Sequence, residues 1–287
     1  MHMAFIGFGE AARAFQESLQ TLDPSLQFSA YDILLDDPNN APALLEVLKD
    51  RGVTAALAGS DLQAADIVFS AVTADQCGPA ATAAASWLRA GQIFIDINSV
   101  SPGQKHANAE GLAGRSVDYV DMAVMAPVHP RGHKTPLLLA GDVTDRLVAT
   151  LDQLGFDFET ISDSAGDATA IKMVRSMFVK GLEAITVETL SAASKSGCFD
   201  YTWQSLQKSF PGLAWPDFAH YQFERTTQHG KRRAAEMREC ARTFADLGLS
   251  GALGDAIADV QQRMGDTKEI PPEIRRLSKQ SLQSKSK

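Results

Sequence analysis

Short apolar runs recur along the first half of the chain, and stretches with helical spacing separate them. The runs cover residues 3–6, 27–33, 53–57, 67–72, 93–97 and 119–124. Several are β-branched and bounded by Gly, Asp or Asn, as expected of strands buried on both faces of a parallel sheet. Residues 11–22, 43–50, 78–88 and 104–112 suit the helices between them. This alternation predicts βαβ units, hence an α/β class with an N-terminal Rossmann domain built on a doubly wound sheet. Residues 136–139 and 157–160 read as extra strands that close the domain.

The texture changes near residue 165. Residues 168–196 contain no proline and only Gly181 as an interruption, which predicts one long interdomain helix. Residues 201–210, 215–227, 231–247 and 254–264 continue in helical pattern, punctuated by Pro211-Gly212 and Gly248. The expected organisation is a Rossmann domain over 1–163 and an all-α domain over 164–287. The Ser-, Lys- and Gln-rich segment 278–287 has little to bury and reads as a frayed tail.

The net charge of −8 argues against nucleic acid or an anionic membrane as partner, since both require a basic surface. No apolar run reaches the roughly 18 residues of a membrane span, and the start of the chain reads as a strand rather than a signal peptide. Three cysteines without CxxC spacing suit reduced thiols. A cytoplasmic protein is the expectation. His129 and His133 sit in a Pro/Gly loop without carboxylate or cysteine partners, so no metal is expected there.

Chemistry enters at Gly7-Phe8-Gly9-Glu10-Ala11-Ala12, which follows the first strand and opens a helix. The first glycine permits a tight turn, the second lets the backbone approach a pyrophosphate, and the small Ala12 permits close helix–strand packing. Free N–H groups and the helix dipole favour the phosphates. Asp32 ends the second strand about 25 residues after Gly7, near the spacing of an acid that accepts from the adenosine ribose. A carboxylate there repels a 2′-phosphate, so NAD is favoured, with NADP as the alternative. Asp32 also suits a loop-capping role. Val72, Thr73, Asn98 and Ser99 end two further strands, where ligands of open α/β sheets bind. The stretch Ser99-Val100-Ser101-Pro102 equally suits a helix cap.

These features resemble the β-hydroxyacid dehydrogenase superfamily, which includes 3-hydroxyisobutyrate and 6-phosphogluconate dehydrogenases. The resemblance rests on the glycine loop, on Asp96-Ile97-Asn98-Ser99-Val100-Ser101-Pro102, and on Gly166 followed by Lys172. Residues 171–181 and 229–237 are similar to a branch whose C-terminal domain is of unknown function. The resemblance implies an active site in the cleft between a Rossmann and an all-α domain, a homodimer through the helical domain, and Lys172 as the catalytic lysine. Two departures stand out. Met125 replaces the serine of the Ser-Gly-Gly substrate motif, and Arg175 and Ser176 stand where an Asn-Asn pair is usual.

At about 100° per residue, Lys172, Arg175, Ser176 and Glu183 fall on one side of the long helix, with Lys180 at the edge. Val174, Met177, Phe178, Gly181 and Ile185 fall opposite. Charged residues on a mostly apolar helix are expected to line a cleft or to be paired. Lysine serves as a general acid/base when burial or a neighbouring cation lowers its pKa, and Arg175 is such a cation. Arg175 and Ser176 are the candidates for orienting a small anionic organic substrate, with Ser99, Met125, His229 and Arg233 as further contacts. Arg232 and Arg233 equally suit pairing with Glu236. The reading is an NAD(P)-dependent oxidoreductase acting on a small hydroxy or oxo acid. Imine reduction and non-catalytic dinucleotide sensing are the alternatives.

Overall fold

A computed structural model of the chain describes residues 1–277. The predicted frayed tail, 278–287, lies outside them. The strands are β1 (His2–Ile6), β2 (Gln27–Tyr31), β3 (Thr54–Ala55), β4 (Ile67–Ser70), β5 (Ile93–Asp96), β6 (Asp118–Val124), β7 (Leu137–Gly141) and β8 (Phe158–Ser162). The helices are α1 (Glu10–Leu22), α2 (Ala41–Asp50), α3 (Cys77–Ala85), α4 (Pro102–Leu112), α5 (Asp145–Gln153), α6 (Asp167–Lys195), α7 (Phe199–Ser209), α8 (Trp215–Asp246) and α9 (Ala252–Thr267).

The eight strands form one sheet in the order β3-β2-β1-β4-β5-β6-β7-β8. Pairing is parallel except between β6 and β7. Successive strand residues point to opposite faces, and β1 shows the consequence. Met3 and Phe5 enter one buried cluster, while Ala4 and Ile6 enter the other. Phe5 stacks on Phe69 with ring centroids 5.4 Å apart and is fully buried, a burial contributing roughly 2 kcal/mol.

The fold class is as the sequence predicts, with three local differences. Ile33 is not in β2: Asp32 accepts from Leu34 N and turns the chain into a short 3-10 segment, Ile33–Asp36. Helix α5 had not been anticipated, although Thr144 caps it by accepting from Leu147 N, and Leu147 and Leu151 are buried. The two helices predicted over 215–227 and 231–247 are one continuous helix, α8.

The chain divides into two compact units, Met1 to Lys172 and Met173 onward. The division falls inside α6, whose first turn is tied to unit 1 through Asp121. Unit 2 is helical, with α8 packed along α9. Gly230 sits in mid-helix because the backbones of α8 and α9 come close there. A Cβ on Gly230 would meet Gly265 N at 2.8 Å, and one on Gly265 would meet Lys231 N at 2.7 Å.

Gly230→Ala gains about 1 kcal/mol of helix propensity, but it drives a methyl group into backbone that has no rotamer to yield. We expect a net loss of about 2 kcal/mol, read as a lowered urea midpoint. An unchanged or raised midpoint contradicts the close approach.

Candidate active site

The loop after β1 is held on both sides. Gly7 has φ 83° and donates its N–H to Tyr31 O at 2.8 Å, and a Cβ there would lie 2.5 Å from Ala71 O. Glycine is therefore demanded by the fold itself. Gly9, the residue preceding α1, differs. Its backbone is extended, with φ −83°, and a Cβ would meet nothing within 4 Å. Among the described residues nothing fills the space beside Gly9, which leaves the N–H groups at the start of α1 accessible to an anion. Glu10 and Ala11 open the helix, and the Phe8 ring is buried beneath the loop.

Asp32 joins this loop to the end of β2. Its Oδ2 accepts from Phe8 N at 2.8 Å and its Oδ1 from Leu34 N at 3.0 Å. Each carboxylate oxygen has a second lone pair, so the capping role leaves acceptors for ribose hydroxyls. Beside it, Tyr31 donates to Asp36 Oδ2 at 2.6 Å. That bond, followed by burial, pushes the phenol up to about 12.

The ends of β4 and β5 are locked together. Asn98 accepts from Val72 N at 2.7 Å through Oδ1 and donates through Nδ2 to Ser70 Oγ at 2.9 Å and Asp96 Oδ1 at 2.7 Å. Thr73 begins a short 3-10 segment, Ala74–Gln76. One residue beyond Asn98, Ser99 Oγ accepts from Lys172 Nζ at 2.6 Å. The structure thus brings together two predicted residues 73 positions apart.

Beneath this pair lies a network that sequence reading had missed. Lys105 Nζ donates to Asp96 O and Asp96 Oδ1, both at 2.7 Å, and lies 3.3 Å from Asp121 Oδ1. Lys105, Asp96 and Asp121 are all fully buried. Tyr119 Oη, Asn108 Nδ2 and Cys77 Sγ donate to Asp96 Oδ2. Asp121 Oδ2 accepts from Gly166 N at 3.1 Å and Thr169 N at 2.9 Å, and its Oδ1 accepts from Thr169 Oγ1 at 2.7 Å. It therefore caps the N-terminus of α6 from outside the helix, with a favourable dipole interaction. Acids inside apolar strand runs were the available signal, since a buried charge requires a partner. The partner itself, Lys105 on α4, carries no such mark.

Burial opposes ionisation of Asp96 and Lys105, but their mutual attraction and hydrogen bonds outweigh it. Asp96 is held below its usual range, and Lys105 above. Burial, then the Asp96 charge, pushes the Cys77 thiol up to about 12.

Three comparisons bear on this arrangement. Residues 193–264 match the family described as Domain of unknown function (DUF1932). A conserved hypothetical protein from Sinorhizobium meliloti 1021 is 33% identical with a TM-score of 0.75, covering 97% of this chain and 96% of that one. A conserved protein of unknown function, described as structurally similar to 3-hydroxyacid dehydrogenases, is 26% identical at TM-score 0.71, covering 97% and 99%. In fold the chain is like the β-hydroxyacid dehydrogenases, and residues 193–264 carry this domain of unknown function. The 3-hydroxyisobutyrate dehydrogenase of Mycobacterium tuberculosis, solved with L-serine, shares the fold at 16% identity and TM-score 0.71, over 96% and 98% of the two chains.

The remaining candidate residues fall elsewhere. Met125 follows β6, is partly buried, and donates its N–H to Pro136 O at 2.9 Å. Lys172 is half-buried and Arg175 exposed. Ser176, Lys180 and Glu183 are buried within unit 2 rather than lining an open face. Lys180 Nζ donates to Ser176 Oγ at 3.1 Å and pairs with Glu236 at 2.7 Å. Glu183 takes Arg233 at 2.5 Å and Gln261 at 2.7 Å. Arg233 is thus engaged inside unit 2, while Arg232 pairs with Glu236 at 2.9 Å. Both arginines and the half-buried His229 lie within α8, not at a helix start. His133 is buried, with Nδ1 2.7 Å from Ser18 Oγ and Nε2 3.0 Å from Leu154 O.

Two measurements follow. Because its thiolate forms only near pH 12, buried Cys77 should stay unreactive toward a disulfide reagent at pH 8, whereas exposed Cys198 should react at once. Rapid labelling of Cys77 in the folded protein contradicts the network. Asp96, with its folded pKa depressed, contributes stability that is complete above about pH 4, its unfolded value. That contribution is lost as pH falls through the lower folded value. The acid-side drop in urea midpoint should be smaller in Asp96→Asn, and an equal drop in both proteins counts against it.

Proposed function

We propose that this protein is a nicotinamide-dinucleotide-dependent oxidoreductase acting on a small organic acid, between its hydroxyl and carbonyl forms. The observation that carries the reading is Lys172 Nζ at 2.6 Å from Ser99 Oγ, at the carboxyl edge of a sheet whose first loop is open to a pyrophosphate. Bound nicotinamide supplies or accepts the hydride at C4.

The chain's own residues supply the rest. The N–H groups at the start of α1 hold the pyrophosphate, and Gly9 keeps the approach clear. Asp32 accepts from the adenosine ribose and repels a 2′-phosphate, which favours NAD over NADP. Val72, Thr73 and Asn98 border the nicotinamide end. In the oxidative direction the neutral Lys172 amine takes the proton of the substrate hydroxyl as the carbon loses hydride. In reduction the ammonium returns it. Ser99 fixes the amine by hydrogen bonding and offers a second polar contact to the reacting oxygen. Arg175, three residues along α6, is suited to the substrate carboxylate. Pairing with a second copy through the helical unit is part of the same proposal. It is supported by the exposed apolar stripe Val174, Phe178 and Ile185 on α6, at 49%, 70% and 65% exposure.

Lys172→Ala should lower turnover by about 10²–10⁴-fold while NADH binding, followed by fluorescence, stays within about twofold. Full turnover in that variant, measured on a panel of hydroxy acids, oxo acids and amines, sinks the mechanism. Asp32→Ser should cost NAD affinity and narrow the NAD over NADP preference by about tenfold, as expected for a lost charged hydrogen bond. An unaltered cofactor preference shows Asp32 to be a loop cap only. Phe178→Glu should shift sedimentation from dimer to monomer, and a wild type that sediments as a monomer removes the pairing.

A further inference from the structure

We propose that Lys105 is the positioning residue for the Lys172–Ser99 pair, acting through two arms that begin at its buried ammonium and meet at that pair. The proposal rests on the reading of Lys172 as proton carrier. The first arm runs through Asp96. Lys105 holds both its backbone carbonyl and Oδ1 at 2.7 Å, and the same Oδ1 accepts from Asn98 N at 2.9 Å and Asn98 Nδ2 at 2.7 Å. Asn98 fixes the backbone that carries Ser99. The second arm runs through Asp121. Lys105 Nζ lies 3.3 Å from its Oδ1, and Asp121 takes the N–H groups of Gly166 and Thr169 and the hydroxyl of Thr169. Thr169 lies one turn before Lys172 on α6. The arms close at Lys172 Nζ and Ser99 Oγ, 2.6 Å apart.

The chemistry of the vertex explains why a lysine serves. An ammonium has three donors and no acceptor; here it donates twice to Asp96 and its charge faces Asp121 Oδ1 on the adjacent strand, 3.3 Å away. Its single positive charge also lies between two buried carboxylates that would otherwise repel each other. Without it the carboxylates separate or one takes a proton. Either event moves Asn98 and Ser99 relative to the start of α6. A shift of about 1 Å between catalytic groups costs on the order of 10²-fold in rate, although Lys105 is fully buried among protein side chains.

The test compares Lys105→Met with the wild type, each with and without Ser99→Ala. If Lys105→Met does not fold, the double variant Lys105→Met/Asp96→Asn replaces it, since one buried negative charge leaves with the ammonium. The measurements are kcat, KM for the dinucleotide, and the rate at which trinitrobenzenesulfonate labels Lys172 by mass spectrometry. The expected result is a kcat at least about 10-fold lower, a larger change than that in KM for the dinucleotide. The Lys172 labelling rate should change, and Ser99→Ala should absorb most of the loss, because the two residues act on one geometry. The proposal is overturned by losses that multiply across the two backgrounds, by an unaltered kcat and labelling rate, or by failure of both Lys105 variants to fold. If Lys172→Ala is itself fully active, the reading of the reaction has failed. If Lys172→Ala is inactive and the Lys105 losses multiply, only the positioning role has failed.

Discussion

Two carboxylates sit fully buried on adjacent strands with one ammonium between them. Moving such ions out of water costs several kcal/mol each, and mutual attraction offsets this only when the remaining lone pairs are also filled. Here they are filled, by Tyr119, Asn108, Cys77 and Asn98 around Asp96 and by Gly166 and Thr169 around Asp121. The loop beyond β5 and the start of α6 have few alternative positions that would leave these groups satisfied. Residues that are candidates for chemistry therefore stand on a scaffold fixed by electrostatics rather than by shape alone.

The glycine loop illustrates a different constraint. Gly7 is required by a left-handed backbone and by the carbonyl of Ala71, whereas none of the described residues comes within 4 Å of a Cβ at Gly9. A glycine with open space before a helix N-terminus is what an approaching anion needs. Asp32 ties the loop to β2 while retaining acceptor capacity on both oxygens.

In the helical unit, the polar residues of α6 behave otherwise than a helical wheel suggests. Ser176, Lys180 and Glu183 turn inward and are matched by Glu236, Arg233 and Gln261 from α8 and α9. Meanwhile Val174, Phe178 and Ile185 face outward. Buried charges are tolerated because each meets an opposite charge or an amide donor. The wheel gives angular spacing but not which arc is covered: Arg175 is exposed although grouped with Ser176 and Glu183, and Met177 and Gly181 are buried although grouped with Phe178 and Ile185.

The sequence by itself determined the sheet's strands, the glycine loop, the spacing of Asp32 and the length of α6. These are local properties: alternation, turn chemistry and the run without proline act within a few residues of one another. The sequence also singled out Lys172 and Ser99 separately. Only the tertiary structure decided that they touch, that α8 runs unbroken through Gly230 because α9 lies against it, and that Lys105 joins Asp96 to Asp121. Those contacts depend on strand order and helix packing. They bring together residues far apart in the chain, and no local pattern along the sequence encodes them.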